Sequence, residues 1–303
     1  MLRALTPRRT VLAAVLGIVV FGVPLTVGAA GRYANPQFLV ETEETARMLG
    51  SPGVRIIDVR AGAMGGIGYR VGHLPGAAYL DAGELDDPAA NAGGSPIRPA
   101  AAEALFGRLG VDDETTVVAY DDAGGMLAAR LFFVLEFYGH ERVRVLNGGL
   151  AKWRREGRPL EVAAPAITPR RFEPRPRREL IATATEVRAS LGRPEVCLID
   201  ARSAGEYAGT AQSGRSGHIP GAAHVEWTST TNPDGTLKDA DALRALFAGA
   251  GVRPDQTVVV YCQSGMRASQ DYLALRLIGH ARIRNYDGSW REWATTPALP
   301  VAR

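Results

Sequence analysis

The chain has 303 residues, of which 46% are hydrophobic and 22% are charged. That composition is typical of a globular protein, and the length is sufficient for two domains. The formal net charge is only +3, from 35 basic and 32 acidic residues without a patch of interleaved aromatic side chains. The sequence therefore gives no reason to expect a nucleic-acid partner.

The first thirty residues have the pattern of an export signal. Three arginines precede an uncharged, mostly apolar run from Val11 to Ala30, which closes with small residues. We therefore predict that residues 1–30 direct the rest of the chain to the periplasm or the cell envelope. The signal is either cleaved or, because about 20 apolar residues can span a bilayer, kept as a membrane anchor. We expect contact with a membrane only through such an uncleaved segment.

Beyond this segment the chain contains two copies of one sequence pattern. Each copy has a strand that ends in an Asp-x-Arg triplet, then a Gly-His-x-Pro-Gly-Ala block, then a second apolar strand. The triplets are residues 58–60 and 200–202, the blocks are 72–77 and 217–222, and the second strands are 117–120 and 258–261. We predict two domains, at 35–158 and 181–300, joined by a Pro- and Arg-rich linker at 159–180.

The fold class follows from how the predicted elements alternate. In both copies, short apolar runs alternate with amphipathic stretches at helical spacing, such as Leu127 to Tyr138. Strands that alternate with helices are typical of parallel sheets. The sequence therefore predicts an α/β protein with two similar domains, each a parallel sheet with helices on both faces.

In the second copy, Cys262 lies between the predicted strand Val258–Tyr261 and a helix predicted from Ser269 to His280. Ligands bind at this edge of parallel sheets, and the first N–H groups of a helix are unpaired donors. Those donors, the helix dipole and the guanidinium of Arg267 are expected to favour the thiolate of Cys262, which would make it a nucleophile. The alternative is that Cys262 is a small buried hydrophobe.

The chain has two cysteines, and in an exported protein they could form a disulfide. Cys197 lies on its predicted strand three residues before Asp200. If Asp200 and Cys262 lie at the same sheet edge, Cys197 is about 10 Å away along the strand, which is too far for a bridge. We predict that Cys197 belongs to the core and that Cys262 is free.

The sequence YCQSGMRAS, from Tyr261 to Ser269, resembles the active-site loop of the rhodanese family of sulfurtransferases. In that family a cysteine opens a loop that cradles an anionic sulfur donor. The Asp-x-Arg and Gly-His-x-Pro-Gly-Ala blocks resemble two further signatures of rhodanese domains, and together the motifs cover the chain from about Asn35 to Trp293. The resemblance implies two tandem rhodanese-like domains. It also implies a substrate-binding loop made of Gln263, Ser264, Gly265, Met266 and Arg267.

Arg202 has two interpretations that the sequence does not separate. It could form an internal ion pair with Asp200, as the repeat of both residues at Asp58 and Arg60 suggests. The resemblance implies instead that Arg202 binds the anion of the donor.

The first copy lacks the groups that the reaction needs. Asp121 stands where the nucleophile would be, and no arginine follows at the place of Arg267. A carboxylate cannot carry a persulfide, and Asp121 with Asp122 would repel an anionic donor. We therefore predict that the first domain is catalytically silent.

The resemblance implies a sulfurtransferase that acts through a persulfide on Cys262. A small anionic donor, thiosulfate or a mercaptopyruvate-like compound, would give its sulfane sulfur to a thiol, cyanide or protein-thiol acceptor. No metal or organic cofactor is expected, because the five histidines show no metal-type spacing. The alternative is a non-catalytic rhodanese-like binding or sulfur-sensing module.

The choice of donor is expected to depend on charge. Gln263 and Ser264 are neutral where thiosulfate-using relatives typically have cations, and Glu206 stands where such relatives often have a second arginine. We therefore predict weak binding of the doubly charged thiosulfate ion.

Four further residues are interpreted as structural. His73 and His218 occur in both copies beside prolines, which indicates hydrogen bonds that stabilise turns. Trp290 and Trp293 are predicted to be core residues.

Overall fold

In the computed structural model, two parallel sheets organise the described part of the chain, which comprises residues 31–89, 95–210 and 215–303. The predicted signal at 1–30 lies outside these residues. Among the described residues, no helix is both long and apolar enough to cross a membrane.

The first sheet has five strands in the order β1-β5-β4-β2-β3. All neighbouring pairs are parallel. The strands are β1 (Leu39–Val40), β2 (Val54–Arg60), β3 (Ala78–Asp81), β4 (Thr116–Asp121) and β5 (Val143–Leu146). The helices of this domain are α1 (Thr42–Met48), α2 (Gly62–Val71), α3 (Pro99–Arg108), α4 (Met126–Phe137) and α5 (Gly149–Arg155).

The second sheet has four strands in the order β7-β6-β8-β9, again with parallel neighbours. The strands are β6 (Val196–Asp200), β7 (Ala223–His224), β8 (Thr257–Tyr261) and β9 (Ile283–Asn285). The helices are α6 (Ala184–Ser190), α7 (Ala204–Tyr207), α8 (Ala240–Gly249), α9 (Ala268–Leu277) and α10 (Ser289–Thr295). Four 3₁₀ turns complete the described elements: Pro36–Phe38, Ala82–Leu85, Arg178–Leu180 and Trp227–Thr230.

Alternate side chains of the central strands enter two hydrophobic clusters on opposite faces of each sheet. In β8, Val258 and Val260 belong to the cluster that contains residues of α9, whereas Val259 and Tyr261 belong to the cluster around Trp290 and Trp293 of α10. β4 divides in the same way between α4 and α5. This alternation is what a strand buried on both faces requires, and it confirms the predicted fold class.

The two domains share one hydrophobic cluster, which joins them through α4 and α9. Phe133 of α4 packs edge-on against Tyr272 of α9, with ring centroids 5.0 Å apart. The chain between α5 and Arg178–Leu180 contains neither a helix nor a strand of more than one residue, and Phe172 anchors it in the core. Arginines of this stretch pair with surface acids, as Arg170 does with Asp112. Its role as a linker stays a prediction.

Register places the predicted functional residues at one edge. Asp200 pairs with Tyr261, so Cys262 comes directly after β8 at the edge where β6 also ends. Cys197 pairs with Val258, several residues further along the strands, and both thiols are free. Cys197 is half-buried against the hydrophobic cluster that the two domains share, here called the main hydrophobic cluster. Burial raises the pKa of its thiol.

The turn histidines have the same contacts in both domains. A ring nitrogen of His73 lies 2.8 Å from the carbonyl oxygen of Tyr69, and its ring stacks on the tyrosine. His218 repeats both contacts with Tyr207, at 3.0 Å. These contacts support the structural interpretation of the two histidines, and the burial of Trp290 and Trp293 supports that of the tryptophans.

Candidate active site

Cys262 opens the loop between β8 and α9 and is only 1% exposed. Its carbonyl oxygen accepts a hydrogen bond from the N–H of Trp290, at 3.0 Å. The next carbonyl, of Gln263, accepts one from Arg291, also at the start of α10. The loop is therefore attached to α10 by its first two carbonyl groups, which fixes where the Cys262 thiol lies.

Ser289, the first residue of α10, holds the loop by its side chain. Its Oγ accepts the N–H of Cys262 at 3.1 Å and the N–H of Gly265 at 3.0 Å, and it donates to the carbonyl of Tyr286 at 2.8 Å. Within the described ranges it is the only residue other than glycine with positive φ, at 53°. A left-handed serine is strained, and such strain is typical of functional sites.

Sequence reasoning did not identify Ser289. Its counterpart in the first domain, counted from the Gly-His pairs at 139–140 and 279–280, is Gly149, with φ 52°. A glycine at this position in the repeat was a signal that the backbone there needs positive φ. Only the structure shows that the serine hydroxyl is used.

Gly265 lies where no other residue would fit. Its φ is 82°, and a Cβ at this position would lie 2.2 Å from Oδ1 of Asp287. Its carbonyl accepts from Ser269 Oγ at 3.0 Å and from Asn285 Nδ2 at 3.2 Å. The middle of the loop is thus packed on the β9–α10 connection, and its conformation depends on that connection.

Arg267 is paired with Glu206. The sequence analysis treated these two residues as separate charges. Its two terminal nitrogens donate to the two carboxylate oxygens at 2.7 and 2.9 Å. The hydrogen bonds from Arg267 are the main reason that the pKa of Glu206 falls to about 2, and the same pairing raises the pKa of Arg267. Glu206 also accepts from Ser203 in a capping box at the start of α7. The positive charge next to the loop is therefore largely compensated.

Arg202 is completely buried. Its Nη2 lies 2.6 Å from Oδ2 of Asp200 and 2.7 Å from the carbonyl of Gly217, and its guanidinium lies over the ring of Trp290 at 4.5 Å. Of the two interpretations of Arg202, the geometry agrees with the internal ion pair. Its binding to a donor stays a prediction.

The other predicted loop side chains differ from Arg267 in that they carry no charge. Gln263, Ser264 and Met266 are each partly exposed. Oε1 of Gln263 is buried and has no hydrogen-bond partner in the described part of the protein. Met266 packs against the main hydrophobic cluster. The only charged side chain of the loop is therefore that of Arg267, which is paired with Glu206.

The corresponding loop of the first domain holds an anion of its own. The two carboxylate oxygens of Asp121 accept four N–H groups at 2.8–2.9 Å, those of Ala123, Gly125, Leu127 and Ala128. Both oxygens of Asp121 accept hydrogen bonds and neither donates one, which is the pattern of an ionised carboxylate. Burial raises the pKa of Asp121, and the four N–H groups oppose that effect. Its neighbour Asp122 pairs with the buried Arg60.

No group of three or more His, Cys, Asp or Glu side chains in residues 31–89, 95–210 or 215–303 is arranged to hold a metal ion. The candidate site consists of one thiol, a loop of backbone N–H groups and a compensated ion pair.

Comparison with known proteins gives a consistent result. The Rhodanese-like domain family matches residues 41–156 and 183–296. The chain is 36% identical to the sulfur carrier protein TtuD of Thermus thermophilus and 33% identical to a thiosulfate sulfurtransferase of Pseudomonas aeruginosa, in each case over 89% of this chain and 98% of the relative. Among solved structures, the 3-mercaptopyruvate sulfotransferase SseA of Escherichia coli matches with a TM-score of 0.77 and 32% identity, over 84% of this chain and 98% of SseA.

Proposed function

The chain belongs to the rhodanese family and is a sulfurtransferase, and on this premise we propose that Cys262 carries the transferred sulfur as a persulfide. One observation supports the assignment above all. The first domain, which is built on the same plan, binds a negative group at the equivalent place through four N–H donors. Where Asp121 supplies that negative group permanently, Cys262 would supply it as a thiolate and then as a persulfide.

The two half-reactions balance without a cofactor. The Cys262 thiolate forms a bond to the outer sulfur of the donor, and the bond between that sulfur and the rest of the donor breaks. The departing group, sulfite if thiosulfate is the donor, takes the electron pair. An acceptor thiolate then attacks the outer sulfur of the persulfide, and Cys262 leaves again as a thiolate. The N–H groups of Arg267 and Ala268, equivalent to those of Leu127 and Ala128, stabilise the anion at each stage.

Intact-mass measurement tests this assignment. Incubation with thiosulfate should add one sulfur, about 32 Da, and cyanide should remove it. The Cys262→Ser variant should gain nothing, whereas the matched control Cys197→Ser should gain the same mass as the wild type. A gain that persists in Cys262→Ser would overturn the assignment. A wild type that gains nothing would favour the non-catalytic binding or sensing module.

The donor proposal depends on charge at the loop. Gln263 and Ser264 are neutral, and Glu206 compensates Arg267, so a doubly charged donor meets little net positive charge. Each missing charge-assisted hydrogen bond weakens binding by roughly 1.5–3 kcal/mol. We therefore expect measurable thiosulfate:cyanide transfer with a high KM, which falls in the double variant Gln263→Arg/Ser264→Lys. Saturation of the wild type at low thiosulfate, or no change in the double variant, would show that charge does not select the donor.

The location proposal concerns residues outside the described structure. The arginines and the apolar run from Val11 to Ala30 support export to the periplasm or cell envelope. A full-length fusion to a reporter that works only outside the cytoplasm should be active, and deletion of residues 1–30 should abolish that activity. An active truncated fusion would contradict export by this segment.

A further inference from the structure

A buried arginine of the first domain contacts the base of the Cys262 loop. Arg130, on α4, is fully buried, and its Nη1 and Nη2 donate to the two carboxylate oxygens of Asp287 at 2.7 and 2.8 Å. Its Nη2 also donates to Asp86 at 2.6 Å. Asp287 belongs to the second domain, so this bidentate pair crosses the domain interface in a place without solvent.

Asp287 in turn is packed against the catalytic loop. Its Oδ1 occupies the space where a Cβ on Gly265 would lie, and two residues later Ser289 binds the N–H groups of Cys262 and Gly265. A displacement of Asp287 would therefore move both the middle of the loop and the serine that binds the N–H groups of Cys262 and Gly265.

Arg130 also affects the charge beside the Cys262 loop. The loop around Cys262 has to stabilise a thiolate and a persulfide, and a buried carboxylate beside it would disfavour both through like-charge repulsion. Burial raises the pKa of Asp287, and Arg130 is the main group that opposes this and keeps the carboxylate compensated. Removal of one partner of a buried ion pair leaves the other without compensation, which is much more harmful than removal of both.

We propose that Arg130 is a positioning residue for sulfur transfer: the domain without a nucleophile holds Asp287 against Gly265 and cancels its charge. The inference rests on the proposed role of Cys262. It gives the first domain a part in the reaction that its own loop, filled by Asp121, cannot have.

The same interface offers a matched control. Glu136 is also on α4 and nearly buried, and it accepts hydrogen bonds across the domain boundary from the Tyr272 hydroxyl at 2.8 Å and from Arg276 Nε at 2.9 Å. Both partners lie further along α9 than the Cys262 loop. A change at Glu136 therefore weakens domain contact without touching Asp287.

The test measures iodoacetamide alkylation of Cys262 against pH in a Cys197→Ser background. It also measures kcat and the KM for thiosulfate in thiosulfate:cyanide transfer, and thermal stability. Arg130→Met should lower kcat by about tenfold and move the alkylation midpoint up by roughly one pH unit, with a smaller change in KM. Arg130→Lys keeps the positive charge but not the bidentate geometry, so it should also lower kcat but move the midpoint less. Arg130→Met/Asp287→Asn should return the midpoint towards the wild-type value, because the charge of Asp287 is removed together with that of Arg130. Asp86, the other partner of Arg130, keeps its charge, but its side chain is 30% exposed. Glu136→Gln should lose stability yet keep the wild-type midpoint and kcat.

The proposal is overturned if the Arg130 variants keep both the midpoint and kcat, or if Glu136→Gln changes them equally. Should Arg130→Met fail to fold, Arg130→Lys and the double variant decide the question. Alkylation does not require turnover, so a wild type without sulfur transfer would refute the role of Cys262 separately.

Discussion

The two loops at the ends of β4 and β8 are built on one plan and filled in two ways. In the first domain, Asp121 places its carboxylate among four N–H groups. In the second domain, Cys262 occupies the corresponding position, and Ser289 Oγ accepts the N–H groups of Cys262 and Gly265. In our proposal, the fold provides a place for an anion in both domains. The side chain at the strand end would then determine whether this anion is the fixed carboxylate of Asp121 or a thiolate that exchanges sulfur.

The residues around the two loops also differ in charge. Counted from the starts of α2 and α7, Met64 takes the place of Glu206, and counted from the ends of α4 and α9, Leu127 takes the place of Arg267. The first domain therefore lacks both partners of the ion pair beside the loop. Its ion pair is between Arg60 and Asp122. Four backbone N–H groups already satisfy the Asp121 carboxylate, and among the described residues no charged pair equivalent to Arg267 and Glu206 is present beside it.

The largest effect should come from exchanging the residues at the strand ends. Cys262→Ser should lower sulfur transfer by about a thousandfold or more, because the nucleophile is lost. Asp121→Ser should keep most of the transfer but lower the free energy of unfolding by about 2 kcal/mol or more, since four buried N–H groups lose their acceptor. Transfer rates and urea unfolding of both variants measure the contrast. Comparable losses of transfer from both would mean that the first domain is not silent.

A second contrast concerns the charges that only the second domain has. Arg267→Ala should lower transfer about tenfold and move the alkylation midpoint of Cys262 to higher pH, because a cation near the thiolate is removed. Glu206→Gln should have the opposite effect and lower the KM for thiosulfate by about tenfold, since it leaves Arg267 uncompensated. Gln is also accepted in a capping box, so α7 keeps its cap.

The double variant Arg267→Ala/Glu206→Gln is the control for that experiment. Without Arg267, the Glu206→Gln change should no longer improve thiosulfate binding. An equal improvement in the presence and absence of Arg267 would mean that Glu206 repels the donor directly and does not act by holding the arginine.

Sequence patterns carried the information that is local or repeated. The end of β8 at Tyr261, the common edge with Asp200 and the free thiol of Cys262 all followed from strand periodicity and from the internal repeat. The replacement of the nucleophile by Asp121 was visible for the same reason. What makes that replacement stable, the four N–H groups, depends on the turn geometry that the sequence did not specify.

The missed contacts are those between groups far apart in the chain. Glu206 and Arg267 are 61 residues apart, and Arg130 and Asp287 are 157 apart. Such pairs are fixed by how helices pack on sheets and on each other, and neither propensity nor periodicity encodes this packing. Charge alone suggested that Glu206 opposes an anionic donor. It did not show that the carboxylate is paired with Arg267.

A smaller effect is expected from making the loop support of the second domain like that of the first. Ser289→Gly removes the hydroxyl that accepts two loop N–H groups but suits the left-handed backbone, as Gly149 does. We expect transfer to fall by about threefold to tenfold while thermal stability changes little, because relief of strain offsets the lost hydrogen bonds. Ser289→Ala keeps the strain without the acceptor and should lose both stability and transfer. Full transfer in Ser289→Gly would show that the hydroxyl only stabilises the loop.

The smallest expected effect is the pH dependence of stability that Glu206 gives the second domain and that Met64, at the equivalent place in the first domain, cannot give. Pairing with Arg267 lowers the pKa of Glu206 from 4.5 to about 2, so the folded state holds the ionised form more strongly than the unfolded state. That contribution is complete above 4.5 and is lost as the pH falls towards 2. The stability advantage of the wild type over Glu206→Gln, measured by urea unfolding, should therefore shrink on acidification through this window. Partial exposure and salt screening keep the effect small.

Met64→Gln, at the equivalent place in the first domain, is the control, and its difference from the wild type should not change with pH. A Glu206→Gln difference that stays constant or grows on acidification would contradict the pairing of Glu206 with Arg267 in solution.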